Sequence, residues 1–395
     1  MKIAFIGLNL FTYGGIQRVV CTLCNELCTK NEITVLMPPA KTNENIFGLD
    51  SRVRTENLYK LVPADLKLST FARKAILKVN SKTAWMDSIK FSHILSMCLM
   101  DKKSEERLKE YINANQFDLV IGLEELYSFY LGRISDKITA KTIGWMHDTY
   151  NSYFGLKGKH SFGMENTILP ELKKLDALIA LTNYDKAIFH NKTTRPVYTL
   201  YNPVPFKKKL QSQAHDGKNL LFVGRIVNSH KGLDHLLQIV KQISNMRNDI
   251  TLTIVGDGPD FNMVNQMIEE QGLKSIVRMV GKSSKVEQYY VTADAFLHTS
   301  NYEGFGVVIV EAMSYGVPVI AFENAGPNEI IHNGVDGFII PKYDYDNYAQ
   351  CVNSILSDNE KWNKVSRAAK RRAEDFCIEN FADCAADIFG TVVNH

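Results

Sequence analysis

No apolar run in this sequence approaches the length of about 18 residues that a helix needs to cross a bilayer. A protein with helical membrane spans is therefore not expected. The N-terminus, Met1-Lys2-Ile3-Ala4-Phe5-Ile6-Gly7, has too short an apolar stretch for a signal peptide and runs into a glycine loop, so it reads as a first buried strand. An excess of one charge is also missing. The formal net charge is +3, and bulk charge gives no argument for a nucleic-acid partner. The seven cysteines are odd in number and have no paired spacing, which points to a reduced, cytosolic protein. Cys21, Cys24 and Cys28 share one face of a predicted helix, but no second CxxC or His cluster completes a metal site, and core packing is the simpler reading. Low-complexity tracts and short repeats are absent.

What is present is a chain of 395 residues, long enough for two domains with full cores, with ordinary apolar (45%) and charged (23%) fractions. Strand-like apolar runs alternate with helical stretches, the pattern of α/β architecture with parallel sheets. The first half offers Ile3–Gly7, Ile33–Met37, Leu119–Gly122, Thr142–Trp145 and Ala177–Leu181. The second half restarts with Leu220–Gly224, Leu252–Gly256, Val277–Gly281, Ala295–His298, Val317–Phe322 and Gly337–Ile340. Between them lies Tyr201-Asn202-Pro203-Val204-Pro205. Two prolines in three residues suit neither a helix interior nor a central strand, and the hinge is placed there. The layout predicts two Rossmann-like domains facing each other across an interdomain cleft: residues 1–200, residues 201–375, and a C-terminal helix over 376–395 that packs back on the first domain.

The residues that bear chemistry cluster at predicted strand ends. Glu303 sits in a loop with a glycine on each side of Phe305, and Glu311 sits in a Val/Ile/Ala/Met run that reads as a helix buried nearly all round. A carboxylate there is costly unless something satisfies it. Hydroxyls of a sugar or ribose would do so; so would neighbouring backbone or a buried Arg. Gly224-Arg225 ends a strand, and Lys231-Gly232 is predicted to open a helix, where a lysine opposes the macrodipole unless an anion binds. An exposed lysine paired with Asp234 is the alternative. Gly14-Gly15 follows the first strand, is not GxGxxG, and reads either as a close approach to a ligand or as a plain turn. In Ala325-Gly326-Pro327-Asn328-Glu329-Ile330, Pro327 fits a helix start, and the N–H groups of Gly326, Asn328 and Glu329 are candidates for a phosphate or sugar hydroxyl. His147 falls at the carboxyl edge of the first sheet, with Asp148 beside it to orient the ring or cap the next element. Asp344-Tyr345-Asp346 has the DxD form of metal-binding sugar transferases, yet it follows Pro341 and precedes a helix, so an N-cap is the simpler role. Residues 60–90 interleave Lys60, Lys67, Arg73, Lys74, Lys78, Lys82 and Lys90 with apolar residues. Such a segment reads as contact with an anionic membrane surface or as a solvated face over the core.

Together these pieces resemble the retaining glycosyltransferases of family 4, with the GT-B fold, over nearly the whole chain. The parts that carry the resemblance are Glu303-x7-Glu311, Gly224-Arg225 with Lys231-Gly232, Gly326-Pro327-Asn328-Glu329-Ile330 and Pro341-x2-Asp344. The early glycine pair, Asn202-Pro203-Val204 and His147 agree in order and spacing. The resemblance implies a nucleotide-sugar donor held mainly by the second domain, with Glu311 on the ribose, Arg225 and Lys231 on the diphosphate, and Glu303 and the Gly326–Glu329 backbone on the sugar. It places Gly15 near the phosphates and His147 against the donor sugar. It implies retention of configuration with no dedicated protein base, no cofactor and no divalent metal. The acceptor would be a lipid-linked or cell-surface oligosaccharide, as on a polyprenyl diphosphate, and the transferred group a hexose or N-acetylhexosamine. Family frequency favours UDP as the nucleotide, and nothing in the residues excludes GDP. Relatives of this kind lie on the inner membrane face, which adds weight to membrane contact through residues 60–90. Two positions depart from the pattern: Ala325 stands where many relatives have a second glycine, and His230 where an acid is common. A GT-B sugar-nucleotide epimerase and a non-catalytic glycan-binding scaffold are the competing readings.

Overall fold

The computed structural model describes residues 1–39, 44–63, 69–158, 161–204 and 216–395, with backbone alone at 69–71. Two compact units emerge: Met1–Tyr201 together with Ile378–His395, and Asn202–Cys377. Each is built on a parallel sheet.

In the first unit the strands are β1 (Lys2–Ile6), β2 (Glu32–Met37), β3 (Arg54–Asn57), β4 (Leu119–Leu123), β5 (Lys141–Trp145), β6 (Ala177–Ala180) and β7 (Val197–Thr199). They lie in the order β3-β2-β1-β4-β5-β6-β7, and every neighbouring pair is parallel. Alternation along β1 explains the two-faced core: Ala4 and Ile6 enter one apolar cluster, Ile3 and Phe5 the other. The helix Gly15–Leu27 turns Val19, Val20, Leu23, Cys24 and Leu27 inward, and Cys21 and Cys28 join the same cluster as small apolar side chains. The helix Ile378–Asn394 belongs to this unit and carries a stripe of Phe381, Ala385, Ile388, Phe389 and Val392. Phe389 meets Phe5 edge-on at 6.4 Å, and Phe381 lies 6.2 Å from Trp145.

In the second unit β8 (Asn219–Val223), β9 (Thr251–Val255), β10 (Val277–Gly281), β11 (Ala295–His298), β12 (Val319–Phe322) and β13 (Phe338–Ile340) are ordered β10-β9-β8-β11-β12-β13, again all parallel. Both orders reverse direction beside the first strand, between β1 and β4 and between β8 and β11. Loops leaving the carboxyl ends of those strands diverge and leave a crevice, the usual ligand position in such sheets.

Two strands escaped the sequence reading. β3 (Arg-Thr-Glu-Asn) has no apolar residue, and β7 has only three residues. Each pairs on one side only, and an edge strand needs no continuous apolar run. Pro205 lies outside the described residues, as do residues 64–68 of the basic segment. Among the described residues no helix is long and apolar enough to cross a membrane.

Phe389 is fully buried at the contact between the C-terminal helix and β1. Phe389→Ala is expected to cost about 3–5 kcal/mol in denaturant unfolding. A loss below about 1 kcal/mol would mean that the helix adds little to this core.

Candidate functional site

The switch point of the second sheet gathers the charged residues. The chain leaves β8 through Gly224-Arg225, forms a one-turn helix Asn228–Lys231, passes Gly232 in the left-handed region (φ 60°), and enters the helix Leu233–Met246. Lys231 therefore ends a short helix rather than opening the long one, a correction to the sequence reading. A Cβ at Gly232 would lie 2.2 Å from the Thr299 carbonyl oxygen, so only glycine lets this turn press against the end of β11. The Thr299 hydroxyl then donates to the carbonyls of Lys231 and Gly232 at 3.2 and 3.0 Å.

This approach brings Lys231 to Glu303. Lys231 Nζ donates to Glu303 Oε2 at 2.7 Å, with the two side chains 14% and 12% exposed. The partner is Glu303, not Asp234. His298 Nε2 lies 3.0 Å from the same oxygen, and the Ser300 hydroxyl donates to it at 3.4 Å. Among the described residues Oε1 takes no such bond. Burial by itself would raise the Glu303 carboxyl. The Lys231 charge and the His298 hydrogen bond outweigh that and hold it below the ordinary carboxylate range.

The loop bearing Glu303 is tied down on several sides. Asn301 N–H donates to the His230 carbonyl (2.8 Å), and Asn301 Oδ1 lies 3.2 Å from His235 Nε2. Lys342 Nζ donates to the Asn301 carbonyl and Asn324 Nδ2 to the Ser300 carbonyl, both at 2.8 Å. His298, Asn301, Asn324 and Lys342 were not singled out from the sequence. His298 was within reach, since it closes a predicted strand at its carboxyl edge; Asn301 lies in the loop itself, and Asn324 and Lys342 meet it from distant segments.

Glu311 needs a correction. Its helix, Val307–Ser314, buries Ile309, Val310, Ala312 and Met313, but Val307, Val308, Glu311 and Ser314 form a half-exposed face. The apolar valines at the helix start concealed this face in the sequence. Glu311 Oε2 accepts from the Tyr290 hydroxyl at 3.1 Å, and the Tyr290 ring stacks on Tyr315. Arg225 is exposed, with no side-chain hydrogen bond or ion pair among the described residues.

The helix Ala325–Ile330 has Pro327 as its third residue. A Cβ on Gly326 would lie 2.1 Å from the Phe305 carbonyl oxygen, so this residue seats the helix against the Glu303 loop. Two of the candidate donors already have protein acceptors. Gly326 N–H reaches the Glu303 carbonyl at 3.4 Å and Asn328 N–H the Asn324 carbonyl at 3.0 Å. Glu329 lies on the same helix, and its own carbonyl accepts from Arg372. Asp344 caps the helix Tyr345–Ser357, accepting from Asn347 N–H at 3.2 Å.

In the first unit, Gly15 is the first residue of its helix, with open space beside its Cα. His147 follows β5 and is 7% exposed, with its ring 4.3 Å from that of Trp145. Neither ring nitrogen has a hydrogen-bond partner among the described residues. Burial pushes its imidazole down to about 3, so the ring is neutral near pH 7, with one donor and one acceptor. Asp148 does not orient this ring. It braces the next element, accepting from Thr149 N–H (2.7 Å) and the Ser152 hydroxyl (2.8 Å). In the basic segment, Lys74, Lys78, Lys82 and Lys90 are exposed beside exposed Val79, Trp85 and Ile89.

Residues 205–372 match the family described as glycosyl transferases group 1. The second unit is a group 1 glycosyltransferase domain. The chain is accordingly a transferase. Over 387 residues it is 23% identical to the GalNAc-alpha-(1->4)-GalNAc-alpha-(1->3)-diNAcBac-PP-undecaprenol alpha-1,4-N-acetyl-D-galactosaminyltransferase of Campylobacter jejuni, covering 97% of this chain and 96% of that one. Its fold is similar to that of the lipopolysaccharide outer core galactosyltransferase WaaB (TM-score 0.75, 20% identity, 99% of this chain and all of the other). It is also similar to Anabaena HepE, solved in complex with UDP (TM-score 0.75, 17% identity, 99% and 100%). The two parallel-sheet units thus have the architecture of solved GT-B glycosyltransferases.

The Glu303 shift has a sign that can be checked. A carboxyl held low in the folded state stabilises it above the unfolded value, and that contribution fades as pH falls through 4.5. The stability difference between wild type and Glu303→Gln should therefore shrink as pH is lowered from about 6 to about 3. Thermal midpoints that differ by the same amount across this range would contradict the ion pair.

Proposed function

We propose that the protein is a retaining glycosyltransferase. In this reading it moves a hexose or N-acetylhexosamine from a nucleotide sugar, UDP-linked in preference to GDP-linked, to a lipid-linked or cell-surface oligosaccharide, without a metal. The observation that carries the proposal is the Lys231–Glu303 pair at the switch point of the glycosyltransferase domain. Glu303 is fixed through Oε2 alone, and Oε1 is left for a sugar hydroxyl. Lys231 spends one of its three donors on this pair and keeps two for a phosphate. Arg225 follows the same strand as an exposed cation. A leaving diphosphate gathers charge as the bond to the sugar breaks, and fixed cations stabilise it. Glu311, on the half-exposed face of its helix, is assigned to the ribose, and the Gly326–Glu329 turn to the sugar. Gly15 is assigned to the phosphates.

His147 is assigned to a sugar hydroxyl. A neutral imidazole whose nitrogens have no partner among the described residues matches a group that donates and accepts at once. The Campylobacter relative names an undecaprenol-PP-linked glycan, and HepE was solved with UDP; both agree with the acceptor and donor assigned here.

A donor panel measured by calorimetry, with UDP- and GDP-linked hexoses and N-acetylhexosamines in EDTA, tests the reading. One UDP-sugar is expected to bind with EDTA present. Binding that returns only with a divalent ion would refute metal independence, and binding of none under either condition would favour a scaffold. Turnover of donor without acceptor to an epimerised sugar would favour the epimerase.

Peripheral contact with the inner, cytoplasmic face of the membrane belongs to the same proposal. Val79, Trp85 and Ile89 are 54%, 70% and 85% exposed, and four exposed lysines surround them in sequence. An apolar anchor plus basic residues is the combination that holds a protein on anionic lipid. Replacing Lys74, Lys78 and Lys82 by Gln should release the protein from vesicles containing phosphatidylglycerol, while undiminished sedimentation with them would assign these residues to a solvated face.

A further inference from the structure

We infer that Tyr153, held by Glu124, is a positioning residue for His147. The inference rests on the reading of His147 as a sugar contact. Tyr153 lies on the short helix Tyr150–Phe154 and is fully buried. Its hydroxyl accepts the backbone N–H groups of both His147 and Asp148, each at 2.9 Å, and donates to Glu124 Oε2. A phenol has one donor and two acceptor positions, so this hydroxyl is fully used.

The arrangement joins the start of the helix after β4 to the loop after β5. Two successive N–H groups at the end of β5 bind a side chain instead of continuing a ladder. The direction of the chain at His147 therefore depends on where that hydroxyl sits. Among the described residues the ring has no other polar anchor: neither nitrogen has a partner, and Trp145 packs against it at 4.3 Å. Its place follows from that stack and from the backbone pinned by Tyr153.

Glu124 supplies the second observation. It is the first residue of the helix Glu124–Gly132, has φ +66°, and is 6% exposed. A residue other than glycine in the left-handed region costs on the order of 1 kcal/mol, and such strain collects at functional sites. A carboxyl group kept in that conformation, buried and accepting the hydrogen bond of the Tyr153 hydroxyl, sets the phenol's orientation and leaves both of its lone pairs for the two N–H groups. Packing alone would need neither the strain nor a buried carboxyl group.

The test uses the full chain, with histidine side chains labelled for NMR. Tyr153→Phe keeps the ring and removes the hydroxyl. It should displace or broaden the His147 imidazole signals and lower kcat by about tenfold to a hundredfold. The same change in a His147→Ala background should lower kcat no further, although any loss of thermal midpoint persists. If the losses multiply and the imidazole signals of Tyr153→Phe match wild type, Tyr153 is structural only and the inference fails. Should Tyr153→Phe not fold, the Glu124 pair decides. Glu124→Gln, which can still accept the phenol proton, should retain more turnover and more of the native imidazole signal than Glu124→Ala; equal behaviour of the two overturns the inference. If His147→Ala transfers sugar as well as wild type, the sugar-contact reading of His147 fails. The imidazole signals still judge the positioning: displaced signals uphold it, and unmoved signals end it.

Discussion

An ammonium and a carboxylate withdrawn from water must meet each other, and the site of the second unit is built on that requirement. Lys231 and Glu303 come from loops after different strands, 72 residues apart in sequence. Taking both charges out of solvent costs several kcal/mol per ion, and removing either partner from such a pair costs about 3–5 kcal/mol. The surrounding residues make the meeting possible. Gly232 removes the Cβ that would hold the Lys231 turn off the end of β11, and Thr299 closes the gap with hydrogen bonds to that turn. Asn301 ties the Glu303 loop to the His230 carbonyl, and Asn324 and Lys342 fasten it from outside. Single hydrogen bonds of this kind are worth about 1 kcal/mol each, so it is their convergence on one short loop that holds the carboxylate still.

The first unit answers the same topology with the opposite electrostatics. At the carboxyl edge of its sheet lies a buried ring, kept neutral by that burial, and the carboxyl group of Glu124 lies one step behind it. A pair of ions suits a ligand that carries charge. An imidazole with a free donor and a free acceptor suits a ligand with hydroxyls, because it gives and takes a hydrogen bond without leaving a charge to desolvate.

Much of the fold was legible because buried parallel strands are written as apolar runs: Ile-Ala-Phe-Ile, Leu-Val-Ile-Gly-Leu and Ala-Leu-Ile-Ala read directly. β3 and β7 were not legible, since an edge strand is specified by what lies beside it. Local spacing also named Glu303, Lys231, Arg225 and His147, because strand ends in such sheets have a known use. What spacing could not give was contact. It put Lys231 at the wrong end of a helix, since a one-turn helix before Gly232 has no periodicity to read. It buried Glu311, since Val307 and Val308 look like core although the helix has a half-exposed face there. Asn301, Lys342 and Tyr153 act through partners remote in sequence or through backbone groups, and neither leaves a motif.

The pairing of Lys231 with Glu303 also bears on how an anion would be received. If the ammonium needed all its donors for Glu303, a diphosphate would have to break a buried ion pair before it bound, at a cost comparable to the binding itself. A single bond at 2.7 Å does not require that. Two donors remain, and a phosphate oxygen added to them would leave the carboxylate in place. Arg225, exposed and without a protein partner among the described residues, brings the net positive charge that the Lys231–Glu303 pair lacks. In the proposed reading the pair would set geometry and Arg225 the sign of the field, two tasks that do not compete for the same group.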